Sequence, residues 1–168
     1  MPPMEQINQS FLKAYDRYAD AIFRYCYFRI GNKEDAEELM QEVFVKSWKF
    51  LADGGTIDTM QAFLYRVARN SLVDFVRKRK EVASLDMLQE GGFEPGQDHR
   101  KRLNNKLDSE SALSALARLP IKDREILTMR YLDGLQPKEM AIIMGLSVNV
   151  VSVRIHRAKK HMLKIVQI

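Results

Sequence analysis

Between Val148 and Lys164, Asn149, Ser152, Arg154, His156, Arg157, Lys159 and Lys160 gather on one side of a segment with no acidic residue. These side chains bind rather than break bonds. Arginine can hydrogen-bond guanine bidentately in a major groove, and lysine and serine can hold phosphates. The other side carries Val148, Val151, Ile155, Ala158, Met162 and Ile165, a helical apolar stripe. Val150 and Val153 fall toward the polar side, either to pack on thymine methyls or to cover a neighbouring helix. His156 faces the same side as Arg157.

Such a helix enters a groove only if another element holds it out from the body. The preceding residues supply that element. Pro137 suits a helix start, where the first N–H groups lack partners anyway. Ala141 is small, as a close helix crossing needs. Gly145 sits where the chain must reverse, and Ser147 can cap the next helix. The sum is a helix-turn-helix, which points to sequence-directed DNA binding. Charge agrees: residues 120–168 hold 9 basic and 4 acidic side chains, a net +5, while residues 1–80 hold 13 and 11, a net +2.

Three long helices are legible upstream. Phe11–Ile30 repeats Phe11, Ala14, Tyr15, Tyr18, Ile22, Tyr25 and Cys26 before Gly31-Asn32 breaks the pattern. Glu34–Leu51 repeats Ala36, Leu39, Met40, Val43, Phe44, Trp48 and Leu51. A loop spans Asp53–Asp58. A third helix runs from about Thr59 to Arg79 through Phe63, Leu64, Val67, Ala68, Leu72, Phe75 and Val76. Residues 81–106 lose the periodicity and contain Gly91-Gly92 and Pro95-Gly96, so they read as a linker. Helices resume near Leu107, one stopping at Pro120 and another covering Lys122–Leu132. The fold class predicted is all-α, with two small helical domains at 8–80 and 107–168 joined by the linker 81–106.

Composition narrows the function classes. Hydrophobic content of 46% over 168 residues suits a globular chain. No apolar run approaches the ~20 residues that span a bilayer, so membrane insertion is not expected. Met1–Ser10 lacks the features of an export signal. Cys26 is the only cysteine, which excludes a disulfide framework and fits the cytoplasm. The sequence has no phosphate-cradling glycine loop and no nucleophile–base arrangement, so an enzyme is not expected. His99 and His161 have no cysteine or carboxylate cluster beside them. No metal and no cofactor are expected.

With these residues laid out, the chain resembles the bacterial sigma factors of RNA polymerase, in particular the short extracytoplasmic-function group. The first matching block is Asp35-Ala36-Glu37-Glu38-Leu39-Met40-Gln41-Glu42-Val43-Phe44, then Phe63-Leu64-Tyr65-Arg66-Val67-Ala68-Arg69-Asn70; it is similar to sigma region 2. The second is Leu116–Pro120, Arg124–Leu127, Arg130–Leu135 and Arg154–Ala158; it is similar to sigma region 4. The resemblance covers roughly Phe11–Lys80 and Ser111–Ile165, in the order of the family.

The resemblance implies roles for residues that composition alone leaves open. Asp35, Glu38, Gln41 and Glu42 lie on the outer flank of their helix. By itself that acidic face is either a dock for a basic helix or plain solvated surface. The resemblance makes it the contact for the β′ clamp helices of core RNA polymerase, with the β flap as the second unit's contact. It gives Arg66, Arg69, Asn70, Arg77, Lys78 and Arg79 to the −10 promoter element, with Lys80 beside them. It gives Asn149, Ser152, Val153, Arg154, His156, Arg157 and Lys160 to the −35 element. The Gly54-Gly55 loop stands where the family captures a flipped base, and promoter DNA and an anti-sigma protein are the further partners implied.

Some positions depart from the family pattern. Gln136 replaces a better N-cap, Pro137-Lys138 replaces an aromatic-acidic pair, and Val150 and Val153 replace small hydroxylated residues. These changes predict a different −35 preference on an unchanged fold. A helix-turn-helix regulator acting without polymerase is the alternative, and it leaves the first block unexplained.

Overall fold

The computed structural model describes residues 2–87 and 112–166, and every regular element among them is helical. Helix α1 spans Met4–Ile30, α2 Lys33–Ala52 and α3 Met60–Met87. The later residues form α4 (Ala112–Arg118), α5 (Ile121–Leu127), α6 (Pro137–Met144) and α7 (Val148–Val166). The helix starts near Leu107 and the linker beyond Met87 lie outside the described residues.

Two boundaries differ from the sequence pattern. Helix α1 starts at Met4, because the polar stretch before Phe11 buries only Ile7 and so shows no apolar period. Trp48 fastens this extension from α2, its indole N–H donating to Asn8 Oδ1 at 3.0 Å. Helix α3 continues past Lys80 to Met87.

Local signals bound the first two helices. The Gly31 N–H returns to the Tyr27 carbonyl at 2.8 Å and ends α1. Asn32 caps α2, its side-chain oxygen accepting from the Asp35 N–H at 3.1 Å. At the other end of α2, the backbone of Gly55 lies so close to the Phe50 ring that a Cβ there would displace the ring.

Residues 122–132 are helical throughout, as the sequence pattern predicts, but not uniformly α. After Leu127 the backbone widens into a π turn over Thr128–Leu132, with the Asp133 N–H bonded to the Thr128 carbonyl at 3.0 Å. That widening carries Asp133 inward, against α1.

The two units share one core. Ile22, Tyr25, Leu39, Val43, Leu64 and Leu72 from the first are continuous with Leu119, Ile126, Met129, Met140 and Val151 from the second. Each large aliphatic chain buried this way contributes about 2 kcal/mol relative to exposure. Helix α6 packs on α3 and α5 on α1, so in this conformation the units are docked rather than separate.

Candidate nucleic-acid and polymerase interface

The turn of the helix-turn-helix forms as its residues predict. Gly145 ends α6 with φ +66, a conformation that disfavours any residue with a Cβ. The Ser147 hydroxyl then accepts from the Val150 N–H at 3.2 Å and starts α7. Gln136 is a weak cap, but Glu139 compensates: its carboxylate accepts from the Gln136 N–H at 2.7 Å. Ala141 is buried at the crossing of the two helices.

Helix α7 buries Val151, Ile155 and Ala158. Asn149, Ser152, Val153, Arg154, His156, Arg157 and Lys160 are all exposed on its other side. Val150 and Val153 are 41% and 48% exposed, so neither covers a neighbouring helix in this conformation. Both stand on the polar face as apolar groups of methyl-contacting size. Lys159 leans over the exposed Tyr131 ring at 5.5 Å. His161 pairs with Asp123 of α5, Nδ1 to Oδ2 at 2.6 Å.

On α2, Glu38, Gln41 and Glu42 are exposed, as a docking face requires, and Asp35 is half-buried. Glu42 is not a bare charge, since Lys46 reaches it at 2.5 Å from the next turn.

The basic residues of α3 divide. Arg66, Asn70, Lys78 and Lys80 are exposed. Arg77 pairs with Asp74 at 3.3 Å and Arg79 with Asp35 at 3.5 Å. Arg69 is drawn toward the second unit, donating to the Met144 carbonyl at 3.4 Å and lying 3.8 Å from Glu125. Beside the glycine loop, Phe50 and Phe63 meet at 4.9 Å between centroids, and Phe50 stays 41% exposed.

Sequence reading missed a second constellation, the polar contact between the units. Tyr25 donates to Glu125 Oε1 at 2.5 Å, and Arg29 approaches the same oxygen at 3.4 Å. Arg24 holds Asp133 Oδ1 through Nη2 at 2.5 Å and Nε at 3.2 Å. Arg124 returns the contact from the second unit, donating to the carbonyls of Phe28, Ala117 and Leu119 at 2.7, 3.0 and 3.0 Å. Burial pushes the Asp133 carboxyl upward, against the opposing influence of Tyr65 and Arg24. Burial, reinforced by Glu125, likewise raises the Tyr25 hydroxyl. No periodic pattern pairs residues a hundred positions apart. The only hint in the sequence was that Glu125 and Asp133 are acids within a basic segment.

Comparison with known proteins agrees with this architecture. The family model of Sigma-70 region 2 matches residues 14–82, and that of Sigma-70, region 4, matches residues 109–162. The ECF RNA polymerase sigma factor SigW of Bacillus subtilis is 28% identical over 167 residues, covering 94% of this chain and 89% of that protein. SigL of Mycobacterium tuberculosis, also an ECF RNA polymerase sigma factor, is 30% identical over 148 residues, covering 86% and 81%. Among solved structures, the sigma factor RpoE of Bartonella quintana, in complex with the anti-sigma factor NepR, superposes with a TM-score of 0.72 at 21% identity over 95% of this chain and 98% of that one. CnrH, solved with the cytosolic domain of CnrY, gives 0.68 at 21% identity over 98% and 94%. The fold is theirs, the two sequence blocks stand in the family's order, and the chain belongs to the extracytoplasmic-function group of sigma-70 RNA polymerase sigma factors.

Proposed function

We propose that this chain binds core RNA polymerase and directs it to promoters, reading the −35 element as duplex through α7 and opening the −10 element along α3. The observation that carries the reading is the pairing of an exposed basic recognition helix with a separate acidic helical face. A stand-alone DNA-binding regulator has no use for the second. Glu38, Gln41 and Glu42 present carboxylates and an amide to a basic partner helix, for which we assign the β′ clamp helices. The second unit takes the β flap. The chain contributes binding and strand opening, while nucleotide addition belongs to the polymerase. That work lies with polymerase and DNA in the cytoplasm. No single described helix is long and apolar enough to cross a membrane.

The −10 surface combines exposed Arg66, Asn70 and Lys78 with the aromatic pair Phe50 and Phe63 beside the Gly54-Gly55 loop. Unstacking a base costs a few kcal/mol, and an exposed aromatic face can return part of it by stacking. RpoE and CnrH were each solved with a partner protein, the one with RpoE an anti-sigma factor. We extend that mode of control to this chain: an anti-sigma protein holds it inactive.

The test is co-elution with purified bacterial core polymerase on size exclusion, beside a Glu42→Lys variant. The wild type should move to the polymerase peak and the variant should not. Failure of the wild type to shift, where a known sigma factor does, would remove the reading.

A further inference from the structure

We infer that Arg24, Arg29 and Arg69 form a phosphate-binding socket for the single-stranded DNA of the opened −10 region, occupied in the closed chain by the carboxylates of Glu125 and Asp133. The inference rests on the promoter-binding reading above. The polymerase co-elution involves no DNA, so the two can fail separately.

The geometry carries it in three steps. First, the socket has the form of an oxyanion site. Arg29 and Arg69 approach one carboxylate oxygen of Glu125 at 3.4 and 3.8 Å, from α1 and α3 respectively. Tyr25 donates to the same oxygen at 2.5 Å. Arg24 directs two N–H groups at one oxygen of Asp133. Guanidinium groups converging on a single oxygen suit phosphate as well as carboxylate.

Second, the socket adjoins the −10 helix. Arg69 lies within a turn of Arg66 and beside Asn70, and both of those remain exposed while Arg69 is turned to Met144 and Glu125. Arg69 and Arg29 share one oxygen of Glu125, which brings α1 to the side of the −10 helix.

Third, the closed arrangement cannot be the one that reads a promoter. The −10 and −35 elements lie roughly 25 base pairs apart, about 85 Å at ~3.4 Å per base pair. A closed chain of this length is about 40 Å across by the usual size scaling. The units must separate to reach both elements, and separation withdraws Glu125 and Asp133. The arginines are then left without partners, next to DNA. The exchange is of like for like, carboxylate for phosphate. The exposed face of α7 is untouched by closure, so the closed chain masks the strand-binding side and leaves the duplex reader open.

The full-length chain tests this with a fluorescein-labelled single-stranded DNA of about 12 nucleotides and mixed sequence, because phosphate contacts are sequence-independent. Dyes on cysteines introduced by Lys49→Cys and Lys164→Cys report the separation of the units. Glu125→Gln with Asp133→Asn keeps the shapes and removes both charges. It should lower energy transfer, tighten the oligonucleotide about tenfold and steepen the salt dependence by about two further counterions. Glu125→Gln alone gives the same reading in milder form should the double variant not fold. Glu5→Gln with Asp16→Asn matches the charge change on the exposed surface of α1 and should gain little. Arg24→Gln should open the chain yet gain less affinity than Asp133→Asn, because it removes one of the phosphate contacts. Unchanged energy transfer, an affinity no better than the charge-matched control, or equal gains from Arg24→Gln and Asp133→Asn would overturn the inference. The last two outcomes would leave the socket as an intramolecular dock or a site for an acidic protein.

Discussion

The Asp35 carboxylate lies 3.5 Å from the Arg79 guanidinium, tying the start of α2 to the outer part of α3. Asp35 is proposed for the polymerase-facing set and Arg79 for the DNA-facing set, and in the ion pair each partly neutralises the other. Their side chains are 27% and 47% exposed, and a pair so wetted contributes about 0–1 kcal/mol. Asp35→Asn should therefore leave the urea midpoint nearly unchanged. It should also weaken binding to core polymerase less than Glu42→Lys does, since Glu42 is exposed on the proposed docking face. Competition against a labelled sigma factor for core enzyme measures both. A larger loss for Asp35→Asn would place the centre of that interface at the helix start.

Arg124 anchors the closed arrangement from the other side, bridging carbonyls of α1 and of the α4–α5 connection. Arg124→Ala leaves three buried acceptors without that donor and should cost roughly 2–4 kcal/mol in urea denaturation. Arg124→Lys should recover less than half of the loss, because a single ammonium cannot reproduce the planar fork. Full recovery by lysine would mean that charge, not geometry, holds the contact.

On the recognition helix the two kinds of contact should separate in their salt dependence. Arg157→Ala should weaken duplex −35 binding by roughly 1–3 kcal/mol and relax base preference at one position. Lys160→Ala should weaken all duplexes alike and reduce the salt slope by about one. Titrations of labelled duplexes at several salt concentrations distinguish them. Equal effects on every sequence in the Arg157→Ala variant would assign that side chain to phosphate instead.

Cys26 gives a pH-dependent prediction. Burial pushes its thiol up to about 12, with Arg29 pulling the other way. The native thiol should stay unreactive toward Ellman's reagent at pH 8 until the chain unfolds. In the unfolded chain the thiol ionises near its ordinary value of 9.0. Between there and about 12 the native state holds the extra proton, so stability falls as pH rises. Tyr25 and Tyr65 are raised as well and act in the same direction. The Cys26 share is therefore the difference between wild type and Cys26→Ala, whose loss of stability over that window should be smaller. Parallel curves would show that Cys26 does not contribute.

The residues themselves determined the helices, the turn at Gly145-Leu146-Ser147, the exposed basic face of α7 and the acidic face of α2. Each of these depends on neighbours within a few positions: an apolar period, a cap, a glycine able to adopt positive φ. Local spacing also set the limits of that reading. It missed the first turns of α1, where Ile7 alone is buried, and gave the helix through Leu132 without its π widening after Leu127. Only the tertiary structure decided that Arg69 faces Glu125 and Met144, that Arg79 faces Asp35, and that Asp133 lies against Arg24. Those pairings join residues from 44 to 109 positions apart in the chain. They exist because two apolar faces, each satisfying its own helical period, find a shared core when the units dock. A one-dimensional pattern records that each face is apolar and leaves unrecorded which face it meets.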